Sequence, residues 1–178
     1  MAVLVVYASR HGATAEIARW IADRLRRRGL EAEARSVADA GDLSGRDAYV
    51  IGSAIYYGSW LRKATAFVRR SRAALAGRPV WLFSSGPLDG FGEEAFALPP
   101  DLEERIRPRG HRVFGGALER SRLTLTERLV ARGISAPEGD FRDRAEIDAW
   151  ADGIARELTG SPGEHLPQLG RPPRHYLP

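Results

Sequence analysis

The sequence contains no cysteine. Disulfides, thiolate nucleophiles, haem–thiolate ligation and iron–sulfur clusters are therefore excluded. Lysine is almost missing as well: Lys63 is the only one, and arginine supplies the rest of the positive charge. No run approaches the roughly eighteen consecutive apolar residues of a membrane-spanning helix. The N-terminus opens into an apolar strand pattern with neither the basic start nor the cleavage site of a secretory leader, so a cytoplasmic protein is expected. His11, His111, His165 and His175 show no metal-ligand spacing, and no metal is expected. The lysine of a P-loop and the three glycines of a dinucleotide fingerprint are also missing after the first apolar run.

What is present fits one domain. The chain has 178 residues and a net charge of +4, long enough for a single core between layers of secondary structure. Its arginine clusters, Arg24-Arg26-Arg27-Arg28 and Arg69-Arg70-Arg72, fall near the ends of predicted helices, where cations complement the helix dipole. There is no recognition motif and no aromatic interleaving, so nucleic acid is not expected as a partner. Attraction to an anionic partner or a membrane surface stays open.

Apolar runs alternate with helical periodicity. Val3 to Tyr7 reads as a buried strand, and residues 14–28 as an amphipathic helix carrying Ile17, Ile21 and Leu25 and closed by Gly29. Residues 31–37 read as an edge strand, 48–53 as a buried strand, 61–76 as a helix and 80–84 as the next strand. A short helix over 101–107, a fifth strand over 113–118 and a last helix over 144–158 complete the series. Strands alternating with helices imply right-handed crossovers, and hence a five-stranded parallel sheet with helices on both faces. This is an α/β three-layer sandwich, spanning residues 1–159. Two segments fall outside the plan. Residues 119–143 exceed what a connection needs and set Leu123, Leu125, Leu129, Val130 and Ile134 among arginines. The tail over 160–178 is too rich in Pro and Gly to build a core element.

The candidate site starts in the first strand-to-helix turn, Ser9-Arg10-His11-Gly12-Ala13-Thr14. A helix start offers unpaired backbone N–H groups and a partial positive charge, which suits a phosphate. Two hydroxyls and one glycine, with no lysine, suit a single terminal phosphomonoester. This hydroxyl-x-x-Gly-x-Thr loop resembles that of the flavodoxin family, which holds the phosphate of FMN. The resemblance implies a doubly wound flavodoxin-like fold, with its ligand beyond the carboxyl ends of the strands.

An FMN site requires the loops after the third and fourth strands to supply aromatic or small residues and glycine. Those loops read Ser53-Ala54-Ile55-Tyr56-Tyr57-Gly58 and Ser84-Ser85-Gly86-Pro87. Tyr56 and Tyr57 are the candidates for contact with the flavin ring, and residues 84–87 for its pyrimidine edge. Arg10 or His11 would add a cation at the phosphate. Arg10, Gly12, Thr14, Ile55, Tyr57 and Gly58 resemble the menaquinone-dependent protoporphyrinogen oxidase branch of flavodoxin-like proteins, as does the long basic segment after the fifth strand. That resemblance follows the element order over residues 1–158. It implies electron transfer from a reduced porphyrin precursor to a quinone. His11 and the third loop depart from the branch, which leaves FMN binding expected and the substrate either porphyrin-like or a small organic molecule. A simple electron-transfer flavodoxin and a cofactor-free binding module on the same fold are the alternatives. No acid–base catalyst is assigned, His111 is placed in a turn, and Asp89, Glu93 and Glu94 form an acidic patch beyond the third loop. The oligomeric state is left open, a homodimer included, as is peripheral contact with a membrane.

Overall fold

The computed structural model describes residues 1–56, 58–86, 98–118 and 139–160. Its frame is a parallel sheet of β1 (Ala2–Ala8), β2 (Glu31–Ser36), β3 (Ala48–Tyr56), β5 (Val80–Gly86) and β6 (Gly110–Gly115), in the order β2-β1-β3-β5-β6. A two-residue strand β4 (Ser59–Trp60) folds back antiparallel on the end of β3, pairing Ile55 with Trp60 and Tyr56 with Ser59.

Side chains alternate across the sheet, and both faces are covered, so the central strands are apolar almost without interruption. Val3, Val5, Val50, Trp81, Phe83 and Phe114 face the helices α1 (Ala13–Arg27) and α4 (Arg144–Thr159), which contribute Ile17, Ile21, Leu25, Ile147 and Ile154. Leu4, Val6, Tyr49, Ile51, Val80 and Leu82 face the helices α2 (Arg62–Leu75) and α3 (Pro100–Ile106), which contribute Phe67, Val68, Leu75, Leu102 and Ile106. The hydroxyl of the buried Tyr49 is satisfied by donating to the Leu43 carbonyl at 2.7 Å.

Register across the centre depends on one glycine. Gly52 on β3 lies opposite Phe83 on β5, and a Cβ at Gly52 would lie 2.0 Å from the Phe83 ring. The ring occupies the space that any other residue's side chain would need.

The ends of α4 follow ordinary capping chemistry. The Asp143 carboxylate accepts from the Ala145 and Glu146 amides at 2.8 and 3.2 Å, and Gly160 closes the helix in the left-handed region. Within α4, the largely buried Asp152 receives the guanidinium groups of Arg24 and Arg28, the former at 2.6 Å. These charge-assisted bonds hold its carboxyl far below the usual carboxylate range and fasten α4 to α1.

The fifth strand of the parallel sheet departs from the sequence-based expectation. It runs from Gly110 to Gly115, three residues earlier than the apolar run 113–118 suggested. His111 and Arg112 therefore lie in the strand, not in a turn. The apolar run divides at Gly116: β7 (Ala117–Leu118) leaves the main sheet and pairs antiparallel with β8 (Gly139–Asp140). Residues 119–138 of the long basic segment and 161–178 of the tail lie outside the described residues. No helix among the described residues is long and apolar enough to cross a membrane.

Candidate functional site

Register brings the carboxyl ends of three strands level. Ala8 on β1 pairs with Ser53 on β3, and Ser53 pairs with Ser84 on β5. The turn after β1, the end of β3 and the end of β5 therefore meet at one edge of the sheet. After β1 the chain moves outward to β2, then crosses back to β3 on the other side. The crevice between β1 and β3 is thus the topological switch point, where open α/β sheets bind ligands.

The first turn is shaped by Ser9 and Gly12. The Ser9 hydroxyl accepts the Gly12 amide at 3.0 Å, and Gly12 adopts φ 100°, a left-handed conformation that only glycine adopts without cost. The first helical bond of α1 is donated by the Glu16 amide to the Gly12 carbonyl at 3.0 Å, so the amides of Ala13, Thr14 and Ala15 precede the hydrogen-bonded ladder. Among the described residues no side chain caps this helix start. Thr14 is 2% exposed, and among the described residues its hydroxyl has no hydrogen-bond partner. A nearly buried hydroxyl beside three helix-start amides is the fit expected for a phosphate acceptor.

Arg10 and His11 both lie by Tyr56. The Arg10 guanidinium carbon sits 4.6 Å from the Tyr56 ring centre, and the His11 ring lies 6.4 Å from it at an interplanar angle of 40°. This joins the first and second loops through a cation–π contact. Sequence reasoning missed Lys63, whose ammonium donates to the Ser9 carbonyl at 2.7 Å from the first turn of α2. Only its singularity in the sequence could have drawn attention to it.

The second loop is more ordered than its sequence implied. Residues 54–56 continue β3 as strand, and Gly58, at φ 72°, makes the reversal into β4. The Ser53 hydroxyl accepts the Leu61 amide at 3.0 Å and donates to the Ala54 carbonyl at 2.8 Å. Ser53 is thus a brace for the turn. Ala54 pairs with Ser85, and Ile55 packs against Gly86, where a Cβ would come within 3.0 Å of the Ile55 Cβ. Tyr57 and Pro87, both expected to meet the ligand, lie outside the described residues, as do Asp89, Glu93 and Glu94.

Ser84 is engaged inside the protein. Its hydroxyl accepts the Trp60 indole N–H at 2.8 Å and lies 2.8 Å from Nε2 of His111, whose ring meets Trp60 edge-on at 6.4 Å. Ser84 cannot offer its side chain to a ligand without breaking this chain, which leaves the backbone of residues 84–86 for the ligand contact expected there. The arrangement fits a neutral His111 that accepts the Ser84 proton at Nε2. Burial pushes the His111 pKa down from 6.5 to about 4.

A stability consequence follows from that burial. The unfolded chain binds a proton at His111 near pH 6.5, whereas the folded chain resists it until about pH 4. Stability contributed by neutral His111 is fully present above pH 6.5 and lost as pH falls towards 4, by up to about 3 kcal/mol. Urea unfolding between pH 7 and 4 should show this loss, and His111→Asn should flatten it. An unchanged slope in the variant would place the acid sensitivity elsewhere.

The segment that follows the basic stretch returns to α1. Arg142, from beyond β8, bonds Asp140 at 2.6 Å and Glu16 at 2.5 Å, and both Arg142 and Arg144 hold a guanidinium 4.9 Å from the Trp20 ring centre. Glu16 lies in the first turn of α1, two residues past Thr14. Gly115 admits this approach, because a Cβ there would lie 2.0 Å from the Phe141 carbonyl oxygen.

Comparison with known proteins agrees with this geometry. A curated relative, protoporphyrinogen IX dehydrogenase [quinone] of Escherichia coli strain K12, is 26% identical over 172 residues, covering 89% of this chain and 95% of its own. Among solved structures, a flavodoxin from the domain Archaea superposes with a TM-score of 0.61 at 18% identity, covering 89% of this chain and 99% of its own. A single-site mutant of a Pseudomonas aeruginosa flavodoxin does so with a TM-score of 0.58 at 20% identity, covering 90% of this chain and all of its own. The model of the flavodoxin domain family matches residues 4–145. With its strand order, its switch-point crevice and that match, the chain belongs to the flavodoxin domain family.

Proposed function

We propose that this chain is an FMN-dependent oxidoreductase that takes electrons from a reduced porphyrin-like or small organic substrate and passes them to a quinone. The observation that carries the reading is the first turn. There a nearly buried threonine hydroxyl without a partner among the described residues adjoins three helix-start amides at the switch point. The direction of electron flow is suggested by the Escherichia coli relative, whose name describes a quinone-dependent dehydrogenase of protoporphyrinogen IX.

When bound, FMN supplies the redox chemistry, and the protein's part is to bind, orient and tune it. The amides of residues 10–14 and the Thr14 hydroxyl would hold the phosphate. Ser9 fixes the turn through the Gly12 amide, and Ser53 fixes the second loop through the Leu61 amide. Tyr56, with Tyr57, would contact the ring. Arg10 stands against the Tyr56 ring and would have to shift for the flavin to use that face. The backbone of Ser85 and Gly86, continuing to Pro87, would border the pyrimidine edge. The leucines among arginines over residues 119–134 suit a lipophilic acceptor or a membrane surface in contact with the protein.

Anaerobic turnover tests the reading. FMN-loaded protein supplied with a reduced tetrapyrrole should reduce a menaquinone analogue catalytically. Rapid electron transfer to a one-electron protein acceptor with no quinone reduction would make it a simple carrier. A protein that takes up no flavin would be a binding module.

A further inference from the structure

Charge is placed along three of the four helices among the described residues as the helix dipole favours. Acidic residues occupy the first turns of α1 (Glu16), α3 (Asp101, Glu103) and α4 (Glu146), and arginines occupy the last turns. The arginine-lined cleft of about 540 Å³ formed by Arg78, Arg105, Arg107 and Arg109 follows the same rule, since it lies by the C-terminal ends of α2 and α3. The α2 N-terminus reverses it. Arg62 and Lys63 put two cations in its first turn, no acidic residue stands there, and no side chain among the described residues caps it. Among the described residues neither cation forms an ion pair. Two like charges at the positive end of a dipole are unfavourable unless an anion joins them.

The place where that anion would sit is given by Lys63 itself. Its ammonium crosses from α2 to the Ser9 carbonyl at 2.7 Å, a contact that uses one of three N–H donors. That carbonyl opens the turn that ends at Thr14, whose nearly buried hydroxyl has no partner among the described residues. We infer that Lys63 is a phosphate-binding residue which, with Arg62 behind it, makes the turn selective for a dianionic phosphomonoester. This inference rests on the FMN reading above. The positive ends of α1 and α2 then converge on one anion from two sides, and the exposed ammonium closes the solvent side of the loop. Lys63 is distinct from Arg10, which is occupied against Tyr56.

The test compares the parent with Lys63→Gln, which keeps a donor for the Ser9 carbonyl without the charge, and with Lys63→Arg, which keeps the charge. FMN and riboflavin are titrated by flavin fluorescence at low and high salt. Lys63→Gln should bind FMN roughly fivefold more weakly at low salt, with the difference shrinking as salt screens the pair. Riboflavin should bind both proteins alike, and Lys63→Arg should restore most of the FMN affinity. Equal FMN affinity and equal salt dependence in parent and Lys63→Gln would overturn the role of Lys63 while leaving FMN binding intact. An equal loss for riboflavin and FMN would reduce Lys63 to a brace for the turn and overturn it too. Failure of the parent itself to bind FMN would instead overturn the reading on which the inference depends.

Discussion

Thr14→Ala is expected to weaken FMN binding by about 1.5–3 kcal/mol, because it deletes a hydroxyl donor to a charged oxygen. The same change should leave the flavin-free protein as stable as the parent, within about 0.5 kcal/mol. Deleting a buried hydroxyl normally costs stability through the partner it strands. Here the Thr14 hydroxyl has no partner among the described residues, so there is nothing to strand. The separation of the two effects is the useful signature. A structural threonine would lose stability and affinity together, whereas a ligand-directed one loses affinity alone. Paired urea unfolding and fluorescence titration of the variant would distinguish them.

Gly52→Ala is expected to destabilise the protein by about 3 kcal/mol, at the upper end of what overpacking costs. The new methyl would fall 2.0–2.4 Å from three atoms of the Phe83 ring, at the centre of the sheet, where β1 and β5 flank β3 and allow little relaxation. Phe83 also packs against Phe114 and Trp150, at ring separations of 6.2 and 6.4 Å, so the ring has no open space to retreat into. Phe83→Leu would create its own cavity, but in the double variant it removes the obstruction. The double variant should therefore be more stable than the sum of the two single losses, by about 1–2 kcal/mol. A Gly52→Ala protein that unfolds at the parent's urea midpoint would show that β3 and β5 do not pair in this register.

The fold was legible in the sequence because its signals are local. Buried runs such as Val3 to Tyr7, the helical stripe Ile17, Ile21 and Leu25, and the stop at Gly29 each state their element without reference to the rest of the chain. The fifth strand was displaced because its apolar residues extend past Gly115. An edge strand is covered unevenly, and its first residues, Gly110 to Arg112, carry no hydrophobic signal. His111 shows why. It is held by Ser84 and Trp60, partners from two other elements that no local pattern can announce.

The site divides in the same way. The turn from Ser9 to Thr14 reads directly, since a strand, a glycine and a hydroxyl at a helix start are all consecutive. Ser53 and Ser84 read as ligand-facing from their position at strand ends, yet their side chains are spent on the Leu61 amide and on Trp60 and His111. Hydroxyls at strand ends serve braces and ligands alike, and only the third dimension separates the two. Lys63 and the Arg142–Glu16 bond were invisible for the opposite reason: each crosses between elements far apart in the chain, 54 and 126 residues respectively.

Binding of the FMN phosphate by the turn between β1 and α1 is tested most directly by titrating the purified parent protein with FMN and with riboflavin, which differ only in that phosphate. One FMN per chain should bind, with riboflavin at least roughly a hundredfold weaker, the combined worth of the charge-assisted bonds at the loop. Equal affinities for the two would contradict the account.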